Sequence, residues 1–219
     1  MASNRANNSF TPALGYGWLT RFFDLAIRVT MPETEFRRRT VEALDPRAGE
    51  KILNFGFGTG QNLVRIKRKC PETELWGLEI DPKVKAIAQK KLDEAGEKAD
   101  LNLYDGKTFP FEDEAFDKAF SSLVFHHLDA ETKRNSLSEL RRVLKTGGEL
   151  LICDFGGAKN KLMRLGYGLV QIIDGFETTR DNVEGKLPGY IAEAGFHDVR
   201  EADFINTSLG TFSYYKAIK

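Results

Sequence analysis

Three glycines close an apolar run in the stretch Ile52-Leu-Asn-Phe-Gly-Phe-Gly-Thr-Gly60. Glycine at alternate positions lets a backbone turn sharply and come against a ligand, while the first N–H groups of a following helix point at it. Gly56, Gly58 and Gly60 therefore form a candidate ligand turn. Nineteen residues past Gly60 stands Glu79, where a doubly wound fold places a carboxylate that accepts from two ribose hydroxyls. Asp105, followed by Gly106, ends the next apolar run, where an acid can accept from an exocyclic adenine amine. Each carboxylate alone reads as a solvated loop residue. Three features at successive strand ends point instead to a ligand that carries adenosine. His126 and His127 follow the fourth run, and an imidazole at that edge suits proton removal near neutral pH. The competing reading is a structural pair, one ring buried and hydrogen-bonded, the other on the surface.

Those residues need a sheet that brings strand ends to one edge. From Ile52 onward, short apolar runs alternate with longer helical patterns, the sequence form of repeated βα units feeding a mostly parallel sheet. Strands are expected over 51–55, 74–79, 100–104, 116–122 and 149–154. Helices are expected over 60–69, 82–95 and 130–144, with Pro82 in a first turn and Gly147-Gly148 returning the chain into the fifth strand. A further helix over LPGYIAEAGF precedes two β-like runs, 197–206 and 210–218, that read as an antiparallel hairpin. The fold class is α/β, a Rossmann-like, doubly wound, mostly parallel seven-stranded sheet with a C-terminal antiparallel hairpin. Residues 16–30 and 32–44 read as two helices, so residues 1–45 are expected to form an N-terminal helical cap on a domain of 46–219. Within that domain, 158–183 reads as a lid-like insertion. In it, Leu162, Leu165, Leu169, Val170, Ile172 and Ile173 share one face of a helical pattern over 161–175.

Composition narrows the partners. The 219 residues hold 32 basic and 32 acidic side chains, so the basic excess of a phosphate-backbone binder is missing. Nucleic acid is not expected as a partner. The basic clusters at 37–39, 67–69 and 90–91 alternate with acids and read as solvated faces. Cys70 and Cys153 stand far apart without a neighbouring His, which suggests neither a disulfide framework nor zinc, and a reducing cytoplasm. No export signal and no membrane span are expected, although the amphipathic 161–175 helix permits transient contact with a membrane surface. A metal site would need Asp154 to join Asp181 and Asn182, which read more simply as a turn. No metal is expected.

The stretches NFGFGTG, GLEIDP, YDGKTFPFEDEAFD, SSLVFHHL and RRVLKTGGELLICD together resemble the class I S-adenosylmethionine-dependent methyltransferases, in particular the small-molecule branch of ubiquinone/menaquinone C-methyltransferase-like enzymes. The likeness runs from about residue 51 to the C-terminus. It implies S-adenosylmethionine as cofactor and S-adenosylhomocysteine as product. It assigns the methionine and ribose part of the cofactor to the turn of Gly56, Gly58 and Gly60, the ribose to Glu79 and adenine to Asp105. The floor beside the sulfonium falls to Ser122 and Leu123, and Asn54, Phe57, Asn62, Ile80 and Gly106 are further expected cofactor-binding positions. Methyl transfer from a sulfonium is an in-line displacement in which the protein supplies alignment, desolvation and sometimes a base, the role expected of His126 or His127. The acceptor is expected to be small and apolar or aromatic. Trp18 and Tyr167 are expected to contact it, with the helices at 16–29 and 161–175 closing over the site.

Three residues depart from the family pattern. Asn54 stands where an acid is usual, Phe57 where a small residue is usual, and Thr146 where Pro is usual. Phe57 is expected to add bulk inside the turn and, with Asn54, to weaken cofactor binding. One of Arg37, Arg38 and Arg39 is a candidate partner for the cofactor carboxylate. Two rival functions follow from the same residues. A NAD(P)-dependent oxidoreductase would use the same fold, but Gln61 stands where the dinucleotide fingerprint wants glycine or alanine. A regulatory protein that binds the cofactor without turnover would tolerate Asn54 and Phe57.

Overall fold

Short apolar strands are followed by amphipathic helices that carry the chain back to run parallel to its earlier strands, except across 104–115, where no helix intervenes. The computed structural model describes residues 33–157, 181, 184–207 and 210–219. The expected helices at 16–30 and 161–175, with Trp18 and Tyr167, lie outside them. Strands β1 (Lys51–Phe55), β2 (Glu74–Glu79), β3 (Asp100–Leu103), β4 (Phe116–Ser122), β5 (Leu144–Gly156), β6 (His197–Thr207) and β7 (Gly210–Ile218) form one sheet in the order β3-β2-β1-β4-β5-β7-β6. The first five are parallel and β7 is antiparallel to both β5 and β6. The order reverses between β1 and β4, and such a switch point opens a crevice at the strands' carboxyl ends.

Alternation along each strand divides the core into two layers. Ile52, Phe120, Leu151 and Cys153 face the helices α1 (Glu33–Leu44), α2 (Gln61–Lys69) and α3 (Pro82–Ala95), whose Phe36, Leu63, Ile66, Ala88 and Leu92 fill that side. Leu53, Phe55, Ala119 and Ile152 face the other way, against Leu137, Leu140 and Val143 of α4 (Ala130–Val143) and Ile191 of α5 (Leu187–Glu193). Phe36 of α1 packs on Phe212 and Tyr214 of β7 at ring distances of 5.3 and 5.7 Å, and the Tyr214 hydroxyl donates to the Phe36 carbonyl. Lys118, pointing from β4 to the same side, is buried. It donates to the carbonyls of Leu44 and Asp45, the end of α1, and pairs with Glu50 at 3.1 Å.

The fifth strand begins earlier than expected. Leu144 already bridges to Phe116, with a register shift before Lys118 pairs with Glu149, so the Gly147-Gly148 turn sits inside the strand as an irregularity. A side chain at Gly148 would meet the carbonyls of Lys145 and Asp117 at 2.8 and 3.0 Å. Helix α4 starts at Asp129, whose carboxylate accepts from the Thr132 amide at 2.7 Å. Removing that cap in Asp129→Ala is expected to lower stability by about 1 kcal/mol, read as a fall in the urea midpoint at constant slope.

Candidate active site

Four strand ends meet at the switch point. At the end of β1, Gly56, Gly58 and Gly60 adopt φ of 67°, 54° and 76°, a left-handed conformation open to glycine and costly for other residues. Gly56 also lies under Val124, whose Cγ2 would stand 2.3 Å from an added Cβ. Gly60 touches Ala88 of α3 in the same way, at 3.0 Å. Above Gly58, by contrast, no atom lies within 4 Å of that position. The turn is thus packed at both ends and open in the middle.

Glu79, at the end of β2, holds this opening. One carboxylate oxygen accepts from the Gly58 amide at 3.0 Å and the other from the Ile80 amide at 2.9 Å. The glycine turn and the acid 19 residues later are therefore in direct contact. Ile80 is 43% exposed, an apolar side chain held at the surface beside Gly106, whose φ is 85°. Asp105 folds back on its own turn, accepting from the Lys107 and Thr108 amides at 2.9 and 3.2 Å. Those two bonds hold its carboxyl below the usual range.

Phe57 is not where its bulk was expected. The ring is 5% exposed and belongs to the core on the α1, α2 and α3 side. It lies over Gly77 of β2, where an added Cβ would stand 2.5 Å from Phe57 Cδ1. The missing side chain at Gly77 makes room for the ring, so the opening above Gly58 stays clear and only the backbone of Phe57 belongs to the turn.

Asn54 is buried beneath the turn. Its amide Nδ2 makes long bonds to the carbonyls of Phe120 and Phe55 at 3.4 and 3.5 Å. Its Oδ1 is the one buried side-chain polar atom without a hydrogen-bond partner among the described residues. Buried acceptors are usually paired, so this atom is available to a donor on a bound ligand. Asn62, in the first turn of α2, is buried and accepts from Arg37 at 3.3 Å, while Arg37 also pairs with Glu33. Arg38 and Arg39 are engaged with Glu35, Glu42 and Asp203. Of the three arginines, Arg37 is the one that hydrogen-bonds to α2 among the described residues.

The fourth strand delivers Ser122 and Leu123. Leu123 has φ of 59° and donates its amide to the Cys153 carbonyl at 2.9 Å, a strained corner for a branched side chain. The two histidines beyond it differ. His126 is 5% exposed, with Nδ1 at 2.8 Å from Asp154 and its ring edge-on to Phe155. His127 has an exposed side chain, its ring 3.8 Å from that of His126. Partial desolvation of its ring, then the charge of His126, holds His127 below the usual imidazole range.

The sequence reading weighed Asp154 only as a metal ligand. In the fold it is fully buried and accepts from the Val124, Phe125 and Phe155 amides as well as facing His126. Its one signal in the sequence was its place, an acid at the end of a strand like Glu79 and Asp105. Tyr104 and Phe109 were also missed. They pack on Phe55 at 6.1 and 5.2 Å beneath the β2 and β3 ends. Burial, then the charges of Glu79 and Asp105, push the Tyr104 hydroxyl up to about 12, so it stays protonated. Among the described residues no group of three His, Cys, Asp or Glu side chains is placed to hold a metal, and no helix is long and apolar enough to cross a membrane.

Residues 52–148 match the sequence model of a family described as a methyltransferase domain. With this strand order and switch-point site, the chain is similar to the class I S-adenosylmethionine-dependent methyltransferases. Within that class it resembles the ubiquinone/menaquinone C-methyltransferases. A demethylmenaquinone methyltransferase from Thermotoga maritima is 34% identical over 122 residues, 56% of this chain and 51% of that one. A ubiquinone/menaquinone biosynthesis C-methyltransferase from Bordetella avium is 34% identical over 118 residues, 53% of this chain and 45% of that one. The chain spans about half the length of these curated relatives. Solved structures show the same fold at lower identity. A methyltransferase from Aquifex aeolicus superposes with a TM-score of 0.65 at 18% identity, covering 88% of this chain and 96% of that one. A phosphoethanolamine N-methyltransferase from Haemonchus contortus, in complex with S-adenosylmethionine, gives 0.64 at 14% identity, covering 84% and 52%.

Proposed function

We propose that this protein transfers a methyl group from S-adenosylmethionine to a small aromatic acceptor of the quinone type, in its reduced, hydroxyl-bearing form. The observation that carries this reading is the contact between Glu79 and the Gly58 amide at 3.0 Å, a carboxylate at the mouth of an open glycine turn, which supports the proposed role of Glu79 toward the ribose. The residues fit the cofactor. Asn54 Oδ1 offers a buried, unpartnered acceptor to an amino group, Glu79 serves the ribose hydroxyls, and exposed Ile80 with Asp105 and Gly106 serves adenine. Arg37 and Asn62 stand at the start of α2, in position for the carboxylate. Phe57 takes part only through its backbone, and Ser122 and Leu123 form the floor.

When bound, S-adenosylmethionine supplies an electrophilic methyl carbon. The chain supplies alignment and a dry floor, because in-line displacement gains most from holding reactants in register. A hydroxyl-activated ring carbon that gains a methyl group must lose a proton, and His126 and His127 are the bases at that edge. Support for the acceptor class comes from the names of the relatives, quinone C-methyltransferases. The cytoplasm, where Cys70 and Cys153 remain free thiols, is the proposed setting.

Thermal unfolding tests the cofactor. S-adenosylmethionine at about 100 times its Kd is expected to add about 2.7 kcal/mol of stability and raise Tm, while NADH and NADPH leave it unchanged. A shift with the nicotinamides alone would make the protein a dehydrogenase. Mass spectrometry of a short-chain demethylated naphthohydroquinone incubated with enzyme and cofactor tests the acceptor, with a gain of one methyl group as the expected result.

A further inference from the structure

Asp154 sits at the carboxyl end of β5 with no solvent exposure, and among the described residues it belongs to no group of His, Cys, Asp or Glu side chains placed to hold a metal. Its Oδ2 accepts from the Val124 and Phe125 amides at 3.1 and 2.8 Å. Its Oδ1 accepts from the Phe155 amide at 2.7 Å and lies 2.8 Å from His126 Nδ1. Burial alone would raise its pKa. The neighbouring His126 and the bonds from His126 and Phe155 outweigh that and hold the group ionised. An ionised carboxylate can only accept, so the short contact requires the His126 proton to be on Nδ1. Nε2 then carries the lone pair when the ring is neutral. It makes no hydrogen bond among the described residues.

We propose that Asp154 is a positioning residue for His126, fixing the tautomer in which Nε2 accepts the proton that the acceptor loses on methylation. The inference rests on the reading above that the acceptor is a hydroxyl-activated ring. In the step, the ring carbon forms its bond to the methyl carbon as the methyl–sulfur bond breaks, with that electron pair staying on sulfur. The proton displaced from the ring goes to Nε2. The resulting imidazolium is balanced by the Asp154 carboxylate, so the buried pair never carries an uncompensated positive charge. The same carboxylate fixes the backbone of Val124 and Phe125, directly after the strained Leu123 corner. One side chain thus sets both the floor beside the methyl group and the ring that takes the proton. Among the described residues the other titratable groups nearby are His127 beside the ring and, on the Asp154 side, Lys133 of α4 with its partner Asp181, together with Cys153 and Tyr215. Lys133 is buried and its pKa is lowered, chiefly by desolvation.

Two measurements on the full chain decide this. In the ligand-free wild type, long-range proton–nitrogen spectra of 15N-labelled histidine are expected to show His126 with a protonated Nδ1 and a bare Nε2 at pH 7.5. A protonated Nε2 with a bare Nδ1 would overturn the proposal without any variant. With the naphthohydroquinone probe, Asp154→Asn and His126→Gln are expected to lower kcat at least tenfold, with the calorimetric Kd for S-adenosylmethionine within about twofold of wild type. Should Asp154→Asn fail to fold, the wild-type tautomer and His126→Gln decide alone. Unchanged kcat in His126→Gln would remove the ring from the proton path. A wild type that binds S-adenosylmethionine but leaves the probe unmethylated would instead overturn the acceptor reading, a separate failure from a wrong tautomer.

Discussion

Phe57→Ala is expected to lower the unfolding free energy by about 3–5 kcal/mol, the usual cost of deleting a buried aromatic ring. The ring is 5% exposed within the core layer that includes Leu101, and it lies directly over Gly77. The neighbouring backbone is a glycine turn on one side and a central strand on the other, so neither can collapse into the space the ring leaves. Gly77→Ala tests the same contact from below. Its Cβ would stand 2.5 Å from Phe57 Cδ1 and 2.9 Å from Leu101 Cδ2, an overpacking expected to cost about 1–3 kcal/mol. Because the two residues share one volume, the double variant is expected to be more stable than the sum of the single losses predicts, by about 1 kcal/mol. Urea unfolding of the four proteins measures this. An additive cycle, or a Phe57→Ala protein of wild-type stability with altered cofactor affinity, would put the ring back over the turn.

Glu79→Ala is expected to weaken S-adenosylmethionine binding by about 1.5–3 kcal/mol, roughly ten- to 150-fold in Kd. A carboxylate facing two ribose hydroxyls makes charge-assisted bonds, and its loss leaves those hydroxyls and the Gly58 amide without their strongest acceptor. The amides of Gly58 and Ile80 are near enough to solvent to be rehydrated, so stability should change by less than about 1 kcal/mol. Glu79→Gln keeps an acceptor oxygen and should fall between wild type and Glu79→Ala. Calorimetry on folded variants is the measurement. An unchanged Kd in Glu79→Ala would mean that the ribose lies elsewhere.

Much of the frame was legible in the sequence because βα repeats announce themselves locally. The β1, β2 and β4 ranges agree with the expected ones, and α2 differs by one residue because Gly60, at φ 76°, precedes the helix instead of opening it. Glycine and strand-end acids reveal a site for a similar reason, since backbone conformation and strand direction confine their roles to a few. Asp154 was harder to read. Its partners Val124, Phe125 and His126 lie some 30 residues away in the chain, and nothing in local pattern says that an acid will be buried against them.

The amino-acid sequence by itself determined the alternation of strand and helix, the edge of the sheet that carries the candidate site, and the residue types at that edge. Those follow from short-range rules: periodicity, glycine's freedom and the end of an apolar run. Tertiary structure alone decided which way Phe57 turned, which arginine met Asn62, and which histidine gained a buried carboxylate. Each of those outcomes depends on volume and hydrogen-bond partners supplied by a different strand. Gly77 leaves the space that Phe57 fills, α1 brings Arg37 to the start of α2, and β5 carries Asp154 to the corner that β4 turns.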